Sequence, residues 1–420
     1  MPPFTAYPES AFHKLQEQFP RLDLNRLHEK MTAYRRHFHR FPEVSLKEFK
    51  TSEYIETILK QAGYRPVRVT ETGLCALLWK GEAYPTIAVR AEMDALPVTE
   101  ATGLPFSSVR PGVMHACGHD GILAVALALA ELMAEPEHRE RLRYNIKFIF
   151  QPAEEAGNGT KLMMDAGVLK DPHVDEMIIF HFVTDHKPGI DIQERVASAT
   201  LGKVEIEVQG VSTHWGAYET GIDAIHAAAL AVACITEINR HYPLPRPFAL
   251  GIGTIQGGTG RNIVADSVRL SGTMRTQEME DYEELSRVLK ERLADIEKET
   301  GTRILLSLSD RPTPSIINDR CLVAKALEAG AYVFGPEHST LSHELFLSGD
   351  NAALFFQKTR GVFIIFMAPN RDGSQFPFHN PRFDFGEDVF PFALCTLYRY
   401  LTTEPAETPA AETEAPADAK

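Results

Sequence analysis

No apolar run in this chain approaches the about 18 residues that a bilayer span requires. Positive charge is also in short supply: 43 Lys and Arg face 57 Asp and Glu, leaving a net charge of −14. That balance argues against a nucleic-acid backbone or an anionic membrane surface as the partner, because both need a basic face. Cysteine is scarce, odd in number and scattered, at Cys75, Cys117, Cys234, Cys321 and Cys395. The opening MPPFTAYPESAFHKLQEQFPR has neither the basic region nor the apolar stretch of a secretory signal. Reduced thiols in a cytoplasmic protein are the expectation. Four of the cysteines sit among apolar neighbours and read as core residues, whereas Cys117 does not.

What is present is the composition of an ordinary globular protein, 44% hydrophobic and 24% charged. At 420 residues the chain is too long for one core. Helical spacing of apolar residues over 22–38 and 47–62 is followed by strand-like runs at 86–93, 145–152 and 176–182, with an Ala/Leu-rich helix at 121–134 between them. This alternation predicts an α/β layer with a largely parallel sheet, whose ligand sites gather where the strands end. Residues 203–309 read as strand, helix, strand, strand, helix, strand, the ferredoxin-like βαββαβ order of a small closed domain. The α/β pattern then resumes with a helix at 320–334, a strand at 361–367 and a final helix near 385–401. The expected organisation is a catalytic domain in two parts, 1–199 and 312–402, an inserted lid or dimerisation domain at 200–311, and a disordered acidic tail at 403–420. The segment GIGTIQG is no dinucleotide loop, because a strand rather than a helix follows it.

Four elements could carry chemistry. In Met114-His115-Ala116-Cys117-Gly118-His119-Asp120-Gly121, a thiolate and an imidazole two positions apart can face one metal, and Asp120 can fix a ring or cap the next helix. A buried Cys beside a capping Asp would look the same. Gln151-Pro152-Ala153-Glu154-Glu155 places two carboxylates at a strand end, one able to bind a metal while the other handles a proton, although isolated Glu pairs are usually solvated. His181 ends an apolar strand and on its own could be a core residue. His379 lies in a loop after another strand. Together, Cys117, His119, Glu155, His181 and His379 stand at strand ends or loops of one α/β layer. A thiolate mixed with imidazole and carboxylate suits Zn²⁺, and also Mn²⁺, Co²⁺ or Ni²⁺. Five ligands exceed the needs of one tetrahedral ion but serve two ions with a shared ligand.

The segments HRFPEVSLKEFKTSEYI, VRAEMDALPV, MHACGHDG, FIFQPAEEAGNGTKLMMDAGVL, GVSTHWGAYETGIDAI, GRNIVADSVRLSGTMR and HNPRFD resemble, in this order, the cocatalytic metallopeptidase family. That family holds hippurate hydrolases, N-acyl-amino-acid amidohydrolases and auxin-conjugate hydrolases, and the likeness spans about residues 22–402. It implies a zinc-peptidase-like α/β catalytic domain, two divalent ions per chain and a homodimer formed through the inserted domain. Cys117 would bridge the ions, His119 and His181 would complete one shell, and Glu155 and His379 the other. Glu154 would be general base and then acid, with Asp94 orienting a ligand nearby. His214 would reach the partner subunit's site, and Asn262 and Arg275 would line the substrate pocket. The implied reaction is hydrolysis of an N-acyl or N-aroyl amino acid by water activated at the metals. Alternatives are a small-dipeptide peptidase, an N-acetyl-diaminopimelate deacetylase, or a non-catalytic metal-binding homologue. Glu92 and Ile122 stand where the family usually has Asp and His, the stretch from His214 to Glu219 lacks its usual small residues and Pro-His, and Gly349-Asp350-Asn351-Ala352-Ala353 replaces Gly-Ser-Glu-Asp-Phe.

Overall fold

The computed structural model describes residues 7, 9–185, 187–343, 347–370 and 373–404. The expected tail therefore lies outside the described residues from 405 onwards. The chain divides into two compact units. One comprises Met1–Arg195, Ile317–His343 and Leu354–Lys420, the other Val196–Ile316 and Glu344–Ala353.

The first unit opens with the helices Glu9–Gln18, Leu24–Arg40 and Phe49–Gln61 and then supplies strands β1 (Val67–Arg68), β2 (Leu74–Leu78), β3 (Thr86–Glu92), β4 (Asn145–Gln151), β5 (Glu176–Val183) and β6 (Gly189–Gln193). The second contributes β7 (Thr200–Gln209), β8 (Ala249–Gly257), β9 (Ser267–Thr276) and β10 (Arg303–Leu308), after which the first resumes with β11 (Ser339–Ser342) and β12 (Arg360–Met367).

The first unit holds one sheet in the order β1-β2-β4-β3-β5-β12-β6-β11. Its centre, β4-β3-β5-β12, is parallel. The expectation of a largely parallel sheet needs correcting at the flanks, where β1–β2, β2–β4 and β12–β6 are antiparallel. A tight turn joins β1 to β2, and only antiparallel neighbours can be connected so briefly. Every residue of β3 and β4 is buried, as befits parallel strands covered on both faces. One cover is the helix His119–Ala134, in which every residue from His119 to Ala130 is buried. A helix apolar all round has no solvent face to offer, so it sits in the core. The last helix runs Phe390–Thr402, starting later than the sequence suggests. The residues before it are used as packing instead: Phe385 lies where a Cβ on Gly121 would stand 2.4 Å from its ring. The core expectation for cysteine holds for Cys395, while Cys75, Cys234 and Cys321 are half-buried.

The second unit is a four-stranded antiparallel sheet ordered β10-β7-β9-β8. Alternate residues of β7 point inward, and Val204, Ile206 and Val208 share one core with the helices Ala224–His241 and Met279–Thr300. This is the ferredoxin-like arrangement. No described helix in either unit is long and apolar enough to cross a membrane.

Candidate metal centre

β3 and β4 run parallel with Glu92 opposite Gln151, so the chain leaves both strands at one level. Asp94 follows β3, and Pro152-Ala153-Glu154-Glu155 follows β4. His181 lies near the end of β5, opposite Ile365 of β12. Gly118, at φ +86°, turns the chain into the helix that begins at His119, a conformation in which a side chain would be strained. The loop after β12 brings in His379, whose backbone N–H donates to the Ala116 carbonyl at 2.8 Å.

These connections gather donor atoms from four segments. Cys117, His119 and His181 each offer one within 4.8 Å of the others. Cys117, Glu155 and His379 do the same, as do His119, Glu154 and Glu155. Cys117 Sγ lies 3.7 Å from His181 Nε2, and Glu155 Oε2 lies 3.4 Å from His379 Nε2. The ring orientations follow from carbonyl neighbours, which can only accept. His119 Nδ1 is 2.8 Å from the Asp94 carbonyl and His181 Nδ1 is 3.1 Å from that of Phe182, so each Nδ1 donates to a carbonyl and each Nε2 is the ring nitrogen turned toward the donor cluster. The Asp94 carboxylate accepts the backbone N–H groups of Glu154 at 3.0 Å and Glu155 at 2.9 Å, and the Ser45 hydroxyl at 2.6 Å.

The residues fit divalent cations. Glu155 Oε1 is buried with no hydrogen-bond partner, a position that costs free energy unless something positive meets it. Burial, reinforced by Glu155, Glu154 and Glu92, pushes the Cys117 thiol far up. Burial alone would lower His119, yet Glu92, Glu155 and Asp94 pull it up to about 9. Both shifts carry a contribution from the same carboxylates, a surplus of anionic groups that a divalent ion would offset. Glu92 is buried and ion-paired with Arg90, whose Nε also donates to Gln151 at 2.9 Å. Ile122, in the position of the family's histidine, is buried in the core.

Sequence reasoning saw that Asp120 could fix a ring but missed Arg35, His39 and Glu100, which join it in a second buried cluster. Asp120 accepts from His39 Nδ1 at 2.8 Å and from Arg35 Nε at 3.2 Å. His39 Nε2 lies 3.1 Å from Glu100. Burial opposes the charged imidazole, but these two carboxylates pull His39 up to about 9. The network ties the helix Leu24–Arg40 to the start of the helix that carries His119. In the sequence Arg35 and His39 look like an ordinary polar helix face. His115 is buried with neither ring nitrogen hydrogen-bonded, and burial holds it down at about 3.

The other three expected residues belong to the second unit. His214 is exposed, its Nδ1 accepts the Gly216 N–H at 3.0 Å, and it bridges to Ile263. Asn262 is exposed, and its backbone carbonyl accepts the Trp215 backbone N–H at 3.1 Å. Arg275 lies on β9 and donates to the Leu347 carbonyl at 2.8 Å.

An α/β sheet with thiolate, imidazole and carboxylate donors at its strand ends defines a divalent-metal hydrolase. Residues 88–403 match the model of peptidase family M20/M25/M40, and the chain belongs to that family of amide-bond hydrolases. It is 31% identical over 395 residues to an N-acetyl-L-cysteine deacetylase of Bacillus subtilis, covering 91% of this chain and 90% of the relative. It is 31% identical over 384 residues to an N-acetyldiaminopimelate deacetylase of Streptococcus suis, covering 88% and 98%. A solved dinuclear metal-binding peptidase of the M20 family from Bacillus subtilis superposes with a TM-score of 0.75 at 28% identity, covering 90% of this chain and 98% of that one.

Proposed function

We propose that this chain hydrolyses the amide bond of an N-acyl or N-aroyl amino acid, giving a carboxylate and a free amino acid. Cys117 would be shared between two divalent ions, with His119 and His181 on one and Glu155 and His379 on the other. The observation that supports this best is that two donor groups share Cys117 while Glu154 stands within 4.8 Å of His119 and Glu155. Bound there, the ions would polarise the carbonyl and lower the pKa of water; Mn²⁺ and Zn²⁺ suit the donors best, with Co²⁺ and Ni²⁺ possible. Glu154 takes the proton from the attacking water as the C–O bond forms. It then returns that proton to the amide nitrogen as the C–N bond breaks, which balances the hydrolysis. Asp94 holds the two glutamates at their backbone N–H groups, so the proton carrier and its neighbour leave β4 in fixed directions.

The names of the relatives favour a short acyl group. N-acetyldiaminopimelate, itself an N-acyl amino acid, is an equally good candidate substrate. The second unit is proposed as the inserted lid and dimerisation domain, with His214 serving the partner subunit's site and Asn262 and Arg275 binding substrate. Two features support a dimer: β8 is an edge strand without charged residues, and Val211, Trp215, Tyr218, Ile225 and Ile255 are exposed on the same unit. Five free cysteines suit the cytoplasm. The test is turnover of a panel of N-acetyl, N-benzoyl and aminobenzoyl amino acids, N-acetyldiaminopimelate and dipeptides. Chelator and Glu154→Gln should each abolish activity. Metal-loaded protein that hydrolyses nothing on the panel would instead favour a binding role.

A further inference from the structure

Three consecutive backbone N–H groups fasten the turn that carries the two glutamates. Those of Glu154 and Glu155 go to Asp94, and that of Ala153 goes to Glu48 Oε1 at 2.8 Å. We propose that Glu48 is a positioning residue for hydrolysis: it fixes the Ala153 backbone, and thereby the directions in which Glu154 and Glu155 project. The proposal rests on the roles given above to those two residues.

Glu48 is fully buried. Its Oε1 accepts from the Leu46 N–H at 3.0 Å as well as from Ala153, and its Oε2 accepts from the Thr72 hydroxyl at 2.8 Å. Every one of these contacts is a neutral donor, and none is a cation. Burying a carboxylate in this way is costly, so its retention asks for a return beyond generic packing. The return lies at Ala153, which sits at φ +51°. A side chain rarely adopts that region, and it persists only where the surroundings over-determine it. Ala153 is held on both sides: its N–H by Glu48, and its carbonyl by the Gly159 N–H at 3.1 Å. Gly159 comes so close that a Cβ there would lie 1.6 Å from the Pro152 carbonyl oxygen. The chain thus turns sharply immediately after β4 and delivers two adjacent carboxylates to the donor cluster. Without the Glu48 contact the Ala153 N–H would be buried and unmet, and the turn would be free to relax toward negative φ, swinging both glutamates.

Three substitutions in the metal-loaded enzyme separate this role from simple support. Glu48→Gln keeps an oxygen for Ala153 and turns its NH₂ toward Thr72, whose hydroxyl can accept. Glu48→Asp keeps the charge but withdraws it by one methylene from Ala153. Thr72→Val removes only the far-side contact. The expectation is that Glu48→Asp lowers kcat by about 10–100-fold with KM within about threefold, while Glu48→Gln and Thr72→Val stay within about fivefold of wild-type kcat. Calorimetric titration of the apo protein with Zn²⁺ or Mn²⁺ reads the same effect without turnover, as an affinity about tenfold weaker in Glu48→Asp alone. Wild-type kcat and affinity in Glu48→Asp would overturn the proposal. So would a kcat loss that follows the thermal midpoint equally in Glu48→Asp and Thr72→Val. If Glu48→Asp does not fold, the comparison is made in an Ala153→Gly background, where glycine takes either sign of φ without strain and the Glu48 contact helps select the positive one; a lower kcat in Glu48→Asp/Ala153→Gly than in Ala153→Gly then supports the proposal, and equal kcat overturns it. An active Glu154→Gln enzyme would defeat the underlying reading instead, whatever the Glu48 variants do.

Discussion

Asp94→Asn probes the centre without removing a single donor of the metal cluster. The wild-type carboxylate meets three donors: Oδ1 faces the Glu154 N–H at 3.0 Å, and Oδ2 faces the Glu155 N–H at 2.9 Å and the Ser45 hydroxyl at 2.6 Å. An amide has one oxygen. Whichever way it turns, its NH₂ must face one of the two backbone N–H groups, donor against donor. The substitution therefore removes at least one hydrogen bond to a charged acceptor, worth about 1.5–3 kcal/mol. It also leaves a buried N–H unmet. At about 1.4 kcal/mol per decade, the loss amounts to roughly 10–150-fold in kcat if it falls on the transition state. Because Asp94 touches backbone and not substrate, KM should move little. The assay is kcat and KM at saturating metal, with metal content measured by elemental analysis on the same preparation. Ser45→Ala is the control. It deletes the hydroxyl contact on the same carboxylate, should cost about 1 kcal/mol of stability, and should leave kcat near wild type. Wild-type kcat and wild-type metal content in Asp94→Asn would refute the argument that these two N–H groups aim the glutamates.

Cys117→Ala should lower the affinity for both ions, whereas His379→Ala should spare one, so the metal-to-protein ratio after dialysis should differ between them; equal ratios would mean that Cys117 is not shared. Chelation should lower the thermal midpoint, since ligand at 100 times its Kd contributes about 2.7 kcal/mol to the folded state. His39 is raised in the fold from 6.5 to about 9, so its stabilising share is complete below pH 6.5 and is lost as pH rises through about 9. His39→Gln should cost about 3–5 kcal/mol at pH 7 by leaving Asp120 and Glu100 short of a buried partner, and unfolding curves at pH 7 and pH 9.5 should then converge on that variant. If the proposed dimer forms along the exposed edge strand β8, Ile255→Lys, which puts a charge there, should yield monomers in sedimentation velocity; an unchanged sedimentation coefficient would rule out pairing through β8.

The elements legible in the sequence are those whose pattern follows from burial alone. β3, β4 and β5 read as mainly apolar runs because both their faces are buried, and the helix His119–Ala134 reads as mainly apolar on every side for the same reason. β11, with the sequence STLS, and β6, GIDIQ, carry no such signal, being short and partly polar, and their place in the sheet is decided by neighbours distant in the chain. The site divides along the same line. A metal selects residue types, so Cys117, His119, Glu155, His181 and His379 stand out as thiol, imidazole and carboxylate at strand ends, and the structure brings their donor atoms together. Positioning selects only an acceptor at a place. Glu48 meets one hydroxyl and two backbone N–H groups, and any sequence supplies such N–H groups at every position but proline. In the chain it is one more glutamate at the start of a helix. Its meaning comes from the 105 residues that separate it from Ala153 and from the positive φ found there, both of which exist only once the chain has folded. The same holds for His39, an unremarkable polar side chain in the chain, which becomes the ring that Asp120 fixes across 81 residues and so part of a buried anchor for the helix that presents His119.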